Sequence, residues 1–305
     1  MTLIEAQTPP PPEVPAASRG AHDSPFRSAL KVFVQNRLAV VGLALVVLIV
    51  VFSFVGPLVY HTDQVHTNLD QVTMAPGSGH PLGTDSVGYD ELGRLMVGGQ
   101  TSLEVGLAAA VIATLFGSVW GAIAGYAGGL LDGLMMRVTD VLLSIPTLFF
   151  LLLMATIFRP SKPVLIIVIA VVSWLIPARL IRGETLTLKV REYVQAARGM
   201  GGGGLYNLFQ HVLPNAIGTI AVNVTFQIAD AILAIAAMSY LGLGVPPPDA
   251  DWGGMLSDGV NYSYSGYWWL IYPPGVAIVL TVVAFNFIGD AVRDSFESRL
   301  RTVRG

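Results

Sequence analysis

Six long apolar runs determine what this chain can fold into. The first, residues 38–60, contains no charge, and a helix needs about 20 apolar residues to cross a bilayer. Lipid offers the backbone no hydrogen bonds, so each run must form a helix that pairs its own N–H and C=O groups. We therefore predict an all-α membrane protein with six transmembrane helices. The other five runs are residues 105–131, 141–158, 163–178, 212–248, whose helical part we expect to end near Leu241, and 259–289.

The composition excludes several other classes of protein. Charged residues make up only 12% of the chain, and hydrophobic residues make up 53%. Cysteine is absent, which excludes a disulfide framework and thiol chemistry. No lysine follows a glycine, so the chain has no Walker A loop, and any ATP it uses must be hydrolysed by another subunit. We predict no catalytic residue, no metal site and no cofactor.

The distribution of positive charge gives the helices a direction. If the N-terminus is cytoplasmic, fourteen of the 17 lysines and arginines fall on the cytoplasmic side, and only Arg94, Arg159 and Lys162 fall outside. Cytoplasmic segments carry the excess of these residues in membrane proteins. We therefore predict a multi-pass protein of the cytoplasmic (inner) membrane with both termini in the cytoplasm.

The apolar runs also divide the chain into segments. Residues 1–26 are rich in proline and lack the basic start and short apolar core of a signal peptide, so we predict a disordered cytoplasmic tail. The remaining segments are the first transmembrane helix with its approach (27–60), an extracytoplasmic loop (61–101), a core with five transmembrane helices (102–290) and a cytoplasmic tail (291–305).

A polar island at residues 192–215 separates two apolar runs. Four consecutive glycines at 201–204 would cost a helix about 1 kcal/mol each relative to alanine, which predicts a sharp turn. Apolar residues recur at helical spacing on both sides of this turn. The stripe before it contains Leu186, Val190, Tyr193, Val194, Ala197 and Met200, and the stripe after it contains Leu205, Leu208, Phe209, Val212 and Leu213. The pattern predicts two short helices at an angle, neither long enough to cross a membrane.

The order of residues within this island resembles a known motif. Ala196-Ala197, then Gly201, then Leu213-Pro214 are spaced as in the EAA loop of ABC importer permeases. In that family the loop is the cytoplasmic coupling element, which docks into a groove on an ATPase subunit. The resemblance therefore implies a coupling loop at residues 182–215.

Two positions depart from the family pattern. Gln195 stands where the motif begins with Glu, and His211 stands where an apolar residue is usual, although the peptide and nickel branch tolerates both. The alternative interpretation is a two-helix surface loop without a special partner. The coupling residues that the resemblance implies are Tyr193, Gln195, Ala196, Ala197, Arg198, Gly201, Leu205, His211, Leu213 and Pro214.

Three further stretches resemble the dipeptide, oligopeptide and nickel branch of this family, and in particular its C-type dipeptide permease subunits. They are residues 81–95, 241–256 and 285–300. The resemblance implies a type I ABC importer permease bundle that moves di- or oligopeptides by alternating access. Haem, glutathione and nickel chelates remain open as substrates, because members of this branch carry them too.

The resemblance also implies partners. They are a second homologous permease subunit, two cytoplasmic ATP-binding subunits or domains, an extracytoplasmic substrate-binding protein and membrane lipid. Nucleic acid is not expected, because the net charge of −3 gives no attraction for it.

Asp230 is the one charge well inside a predicted transmembrane helix. Such a charge costs about 2.5–3.5 kcal/mol at the helix centre, so it normally faces the bundle interior or water. One interpretation is a carboxylate in the substrate pathway. The other is a buried acid that pairs with a neighbouring helix or with the partner permease.

An ion-coupled secondary transporter of small solutes is the alternative function. Such proteins normally contain paired broken helices in two related halves and intramembrane ionisable groups for the coupling ion. This chain has one intramembrane carboxylate and no evident repeat, which favours the ATP-driven importer. A ladder of Gly117, Gly121 and Gly125 allows close helix packing, which we expect within the chain rather than with a second permease.

Overall fold

A computed structural model describes residues 33–302, with side chains to residue 296. The predicted disordered tail at residues 1–26 lies outside this range. The described residues are mostly helical, and an isolated bridge between Thr84 and Asp90 is their only β pairing. The predicted all-α class is confirmed.

Residues 33–35 are helical, and thirteen further helices follow from Arg37 onward within the described range. In chain order they are α1 (Arg37–Phe54), α2 (Gly56–Val59), α3 (Glu91–Ala127), α4 (Gly129–Leu143), α5 (Thr147–Ile157), α6 (Lys162–Ser173), α7 (Leu175–Leu188), α8 (Glu192–Gly199), α9 (Gly204–Asn207), α10 (Leu213–Asn215), α11 (Ile217–Tyr240), α12 (Trp252–Val260) and α13 (Tyr272–Thr302). Leu69–Gln71, Ser263–Ser265 and Trp268–Leu270 form 3-10 turns, and Leu208–Val212 forms a π turn.

Four helical stretches of the described residues are long and apolar enough to cross a membrane: α1, α3, α11 and Trp268–Phe296. The pairs α4–α5 and α6–α7 are bent by 83° and 43°, and they bring the number to six if each pair forms one span. The predicted six crossings therefore require two broken helices, which the apolar runs at 141–158 and 163–178 did not indicate.

Proline explains the bend between α6 and α7. Pro177 has no N–H to donate to the carbonyl of Ser173, one turn earlier. That carbonyl instead accepts a hydrogen bond from the side-chain amide of Gln227 on α11. Because Gln227 is buried, the bond satisfies two polar groups that lipid could not.

The longest helix, α3, extends well beyond the apolar run that predicts it. It begins at Glu91 because Asp90 caps it, accepting a hydrogen bond from the N–H of Gly93 at 2.8 Å. It ends at Gly128, whose φ of +66° turns the chain away. The helix packs against α1, α6, α7 and α11 and so forms the centre of the bundle.

The glycine ladder brings α3 into close contact with α7. A Cβ atom on Gly121 would overlap the carbonyl oxygen of Ala178, and one on Gly125 would lie 2.9 Å from the carbonyl oxygen of Arg182. Gly117 faces the carbonyl of Trp174 in the same way. The ladder therefore packs within the chain, as expected from the sequence.

Gly121→Ala is expected to destabilise the bundle by about 1–3 kcal/mol, because the added methyl group forces α3 and α7 apart. The measurement is the unfolding temperature of the purified protein in detergent. Gly133→Ala is the control, because a Cβ at this exposed helical position meets no atom within 4 Å. An equal unfolding temperature for the two variants would contradict the packing argument.

Candidate functional site

The polar island, here called the glycine-hinged segment (residues 192–215), reverses direction after α8. Gly201 has a φ of +89°, and its N–H donates to the carbonyl of Arg198 at 2.9 Å. The N–H of Gly202 donates to the carbonyl of Ala197 at 2.9 Å, and a Cβ on Gly202 would stand 2.7 Å from the same oxygen. These two positions therefore need glycine, one for its positive φ and one for its close approach.

Asn207, at the end of α9, fastens the turn from inside. Its side chain is completely buried, and its Nδ2 donates to the carbonyls of Gly202 at 2.8 Å and Gly203 at 3.1 Å. One side chain thus binds two carbonyls of the glycine turn, and that of Gly203 also accepts a hydrogen bond from the backbone N–H of Asn207 at 3.0 Å. Asn207 is not predictable from the sequence, because a single asparagine in a polar stretch carries no signal.

A π turn follows at Leu208–Val212 and ends two residues before Pro214. Pro214 cannot donate to the carbonyl of Gln210, and the N–H of Leu213 bonds to the carbonyl of Leu208 instead. The side chain of Asn215 donates to the carbonyl of His211 at 2.6 Å and supports this distorted turn.

The inner face of the segment packs on a small core of its own. Val194, Ala197, Leu208 and Val212 are buried there. Their partners in the cluster are Ala122, Ile181, Leu188 and Ala216. The two short helices therefore rest on α3 and α7.

Two cationic side chains attach the end of α7 and the helix α8 to the C-terminal end of α3. The guanidinium of Arg198 lies 4.7 Å from the ring centroid of Tyr126, and its Nε donates to the Tyr126 hydroxyl at 3.0 Å. Lys189 Nζ donates to the carbonyl of Gly125 at 2.7 Å, where a helix C-terminus attracts positive charge. Tyr126 and Lys189 were missed from the sequence because their contacts join residues more than sixty positions apart.

Large apolar side chains are exposed on the outer face of the glycine-hinged segment and of the residues just before it. Met200 is 82% exposed, Leu205 71% and Phe209 52%. The full exposed apolar set is Val190, Tyr193, Met200, Leu205, Tyr206 and Phe209. The sequence predicted one apolar stripe on each short helix, whereas the structure divides both stripes between a buried face and this exposed set.

The implied coupling residues therefore have different environments. Ala197 is buried, and the partly buried His211 contacts the ring of Tyr206 edge to face at 5.7 Å between centroids. Leu213 is partly buried as well. The exposed members are Tyr193, Gln195, Ala196, Arg198, Gly201, Leu205 and Pro214.

Asp230 lies on α11, away from the glycine-hinged segment. It is exposed in this chain, and no hydrogen bond or ion pair joins its side chain to another described residue. Its neighbours Ile228 and Ile232 are buried, so the carboxylate faces away from the chain's own helices. The described residues thus show no pairing of Asp230 with a neighbouring helix of the same chain, and the interpretations that remain are the substrate pathway and pairing with the partner permease.

Sequence comparison identifies the family. The profile described as "Binding-protein-dependent transport system inner membrane component" matches residues 117–302, and the profile described as "N-terminal TM domain of oligopeptide transport permease C" matches residues 24–76. The chain belongs to the binding-protein-dependent transport permeases. The predicted ABC importer permease is confirmed, and the ion-coupled secondary transporter is not supported.

Curated relatives of this permease match along most of their length. The oligopeptide transport system permease protein OppC of Bacillus subtilis is 38% identical over 90% of both chains. The OppC protein of Salmonella typhimurium is 40% identical over 90% of this chain and 92% of the relative. A putative peptide permease protein of Brucella suis is 40% identical over 92% of this chain and 93% of the relative.

Asn207→Ala is expected to loosen the glycine turn of this permease, because it removes two hydrogen bonds worth about 0.5–1.5 kcal/mol each. Hydrogen–deuterium exchange of residues 199–207 should accelerate about tenfold, the effect of about 1.4 kcal/mol. Gln210→Ala, at an exposed position, is the control. Unchanged exchange in Asn207→Ala would contradict the assigned role.

Proposed function

We propose that this chain is one of two permease subunits in an ATP-driven importer that carries peptides across the cytoplasmic membrane. The relatives' names support peptides as the substrate, because several are oligopeptide permeases. The proposed partners are a second homologous permease, two cytoplasmic ATP-binding subunits and an extracytoplasmic substrate-binding protein. ATP hydrolysis belongs to the ATP-binding subunits, since this chain contains no Walker A loop.

The exposed apolar set is the observation that carries the proposal. Burying a side chain such as Leu, Met or Phe stabilises a contact by about 1.5–3 kcal/mol, so six exposed ones favour a cover. Lipid is a poor cover, because α8 is short and carries Glu192 and Arg198. A groove on an ATP-binding subunit would bury the set and leave these charges at the rim of the contact.

The contacts beneath the segment supply a route for motion. When the two ATP-binding subunits close, the docked α8 and α9 move with them. The Arg198–Tyr126 and Lys189–Gly125 contacts and the shared apolar core transmit that movement to α3 and α7. Alternating access follows if the two positions of these helices differ in their affinity for the peptide.

The orientation rests on charge. Residues 179–215, which include the glycine-hinged segment, contain five basic residues: Arg179, Arg182, Lys189, Arg191 and Arg198. Residues 61–101, at the other end of α3, contain Arg94 as their one basic residue. The excess of positive charge marks the cytoplasmic side. Both chain termini then lie in the cytoplasm, on the same side as the ATP-binding subunits.

Asp230 is proposed to line the path of the peptide between the two permease subunits. Its exposure in the single chain supports this, because a carboxylate at membrane depth needs water or a polar partner rather than lipid. A negative charge there would attract the amino group of a peptide.

Met200→Glu is expected to uncouple the importer. The change places a charge in the exposed apolar set without disturbing the core beneath, whereas a charge at the buried Ala197 would disturb both. ATP-dependent peptide uptake by the reconstituted complex should fall about tenfold or more, the effect of losing at least ~1.4 kcal/mol of contact energy. Co-purification of the ATP-binding subunits should weaken in parallel.

Gln210→Glu provides the matched control, because it adds the same charge to the same segment at an exposed polar position. It should keep uptake close to the unmodified level. Normal uptake and normal subunit binding in Met200→Glu would refute docking through this face.

Asp230→Asn removes the charge and keeps the shape of the side chain. Uptake should fall by about tenfold for peptides with a free amino terminus, the effect of losing ~1.4 kcal/mol of interaction. N-acetylated peptides should lose less, because they lack the positive charge that Asp230 would attract. Asp70→Asn, at an exposed loop position, is the control. An identical loss for both kinds of peptide would argue against a direct contact.

A further inference from the structure

A cavity of about 390 Å³ opens at the N-terminal end of α3, the end opposite the glycine-hinged segment. Most of its lining comes from the turn before α3, the first turn of α3, the loop that follows α11, and α12, and Pro160 and Leu270 also line it. The residues that matter for its chemistry are Asp85, Glu91, Arg94, Asp251 and Asp258. We call it the acidic cavity.

Glu91 lines the acidic cavity and is only 2% exposed. No hydrogen bond and no ion pair within 4 Å joins its carboxylate to another described side chain. The nearby guanidinium of Arg94 is already engaged, because it donates to the carbonyl of Pro248 at 2.7 Å and lies 4.4 Å from the ring centroid of Tyr89. A buried carboxyl without a donor is unfavourable, so a donor that enters the cavity would be stabilised.

The other carboxylates add to the demand for positive charge. Partial burial, and then the charge of Asp85, raises the pKa of Asp258. Burial also raises the pKa of Asp251, although this residue caps α12 and accepts hydrogen bonds from the N–H groups of Gly253 and Gly254. Both shifts mean that burial disfavours the charged form of these carboxyl groups, and a nearby cation would favour it.

The size of the cavity and the side chains that line it favour an organic cation over a metal ion. No group of three or more His, Asp or Glu side chains within the described residues is arranged to hold a metal. A volume of about 390 Å³ falls in the range of sites for small molecules and long side chains. An ammonium or guanidinium group on a flexible stem could reach Glu91 and leave its stem in the opening.

The surface around the cavity indicates that this cation belongs to a protein. The segments 61–101 and 242–267 carry eight acidic residues against a single basic one, Arg94. A protein partner with a basic face would match this wide distribution of charge, whereas a free small cation would need only the cavity. Complementary potentials of this kind guide association and fix its register.

We propose that the acidic cavity receives a lysine or arginine side chain of the extracytoplasmic substrate-binding protein when that protein docks. This inference rests on the proposed function, which supplies the binding protein. A binding protein docked there would contact the N-terminal end of α3, and the other end of α3 contacts the glycine-hinged segment. One helix would then connect the delivery of the substrate with the ATP-binding subunits.

The test measures how the purified binding protein stimulates ATP hydrolysis by the complete complex in lipid vesicles. Glu91→Gln keeps the size of the side chain and removes its charge, so the concentration of binding protein at half-maximal stimulation should rise about tenfold, the effect of ~1.4 kcal/mol. The maximal rate should stay the same, and the dependence of the midpoint on salt should become weaker. Asp258→Asn should shift the midpoint in the same direction.

Asp63→Asn is the matched control, because its side chain is 59% exposed and lies outside the acidic cavity. It should leave the midpoint within about twofold of the unmodified value, since screened surface charges contribute little. The unfolding temperature of each variant shows whether it folds, and Asp258→Asn replaces Glu91→Gln if the latter does not.

Two different failures can be separated. If the binding protein stimulates the unmodified complex and both cavity variants keep its midpoint, the acidic cavity is not the docking site, although the proposed function stands. If the binding protein does not stimulate the unmodified complex at all, both the proposed function and this inference fall.

Discussion

The close approach of α3 to α7 is the contact on which the other features depend. Lipid supplies no hydrophobic force between helices, so van der Waals packing must hold them together. Glycines at 117, 121 and 125 allow the backbone of α7 to lie directly against α3. This proximity lets Lys189 reach the carbonyl of Gly125 and lets the glycine-hinged segment rest on the end of α3.

The sequence predicted the helical bundle well because lipid allows few alternatives. Uncharged runs of sufficient length must become helices, and the number of runs sets the number of membrane-crossing helices to expect. Helix ends were less predictable, since they depend on single residues: the cap at Asp90 extends α3 and the positive φ of Gly128 ends it. The bends at α4–α5 and α6–α7 were missed, because Pro146 and Pro177 lie inside runs that are apolar throughout.

The glycine turn was also accessible from sequence, since four adjacent glycines disfavour a helix strongly. The side chains that hold this turn in place were not predictable from the sequence. Asn207 acts through two backbone carbonyls, and Tyr126 meets Arg198 across a long separation in the chain. Periodicity placed Leu205 and Leu208 on one stripe, yet Leu205 is exposed and Leu208 is buried. The π turn at Leu208–Val212 interrupts the regular spacing on which that prediction relied.

The hydrogen bond between Gln227 and the carbonyl of Ser173 has a mechanical consequence. Straightening the bend at Pro177 would strand two polar groups where water cannot replace the lost partner, and Pro177 could not supply the missing donor in any case. The bend is therefore held by a contact between α11, which carries Gln227, and the C-terminal end of α6, where Ser173 lies. Asp230 lies about one helical turn beyond Gln227, so the helix that carries this carboxylate also holds the bend between α6 and α7.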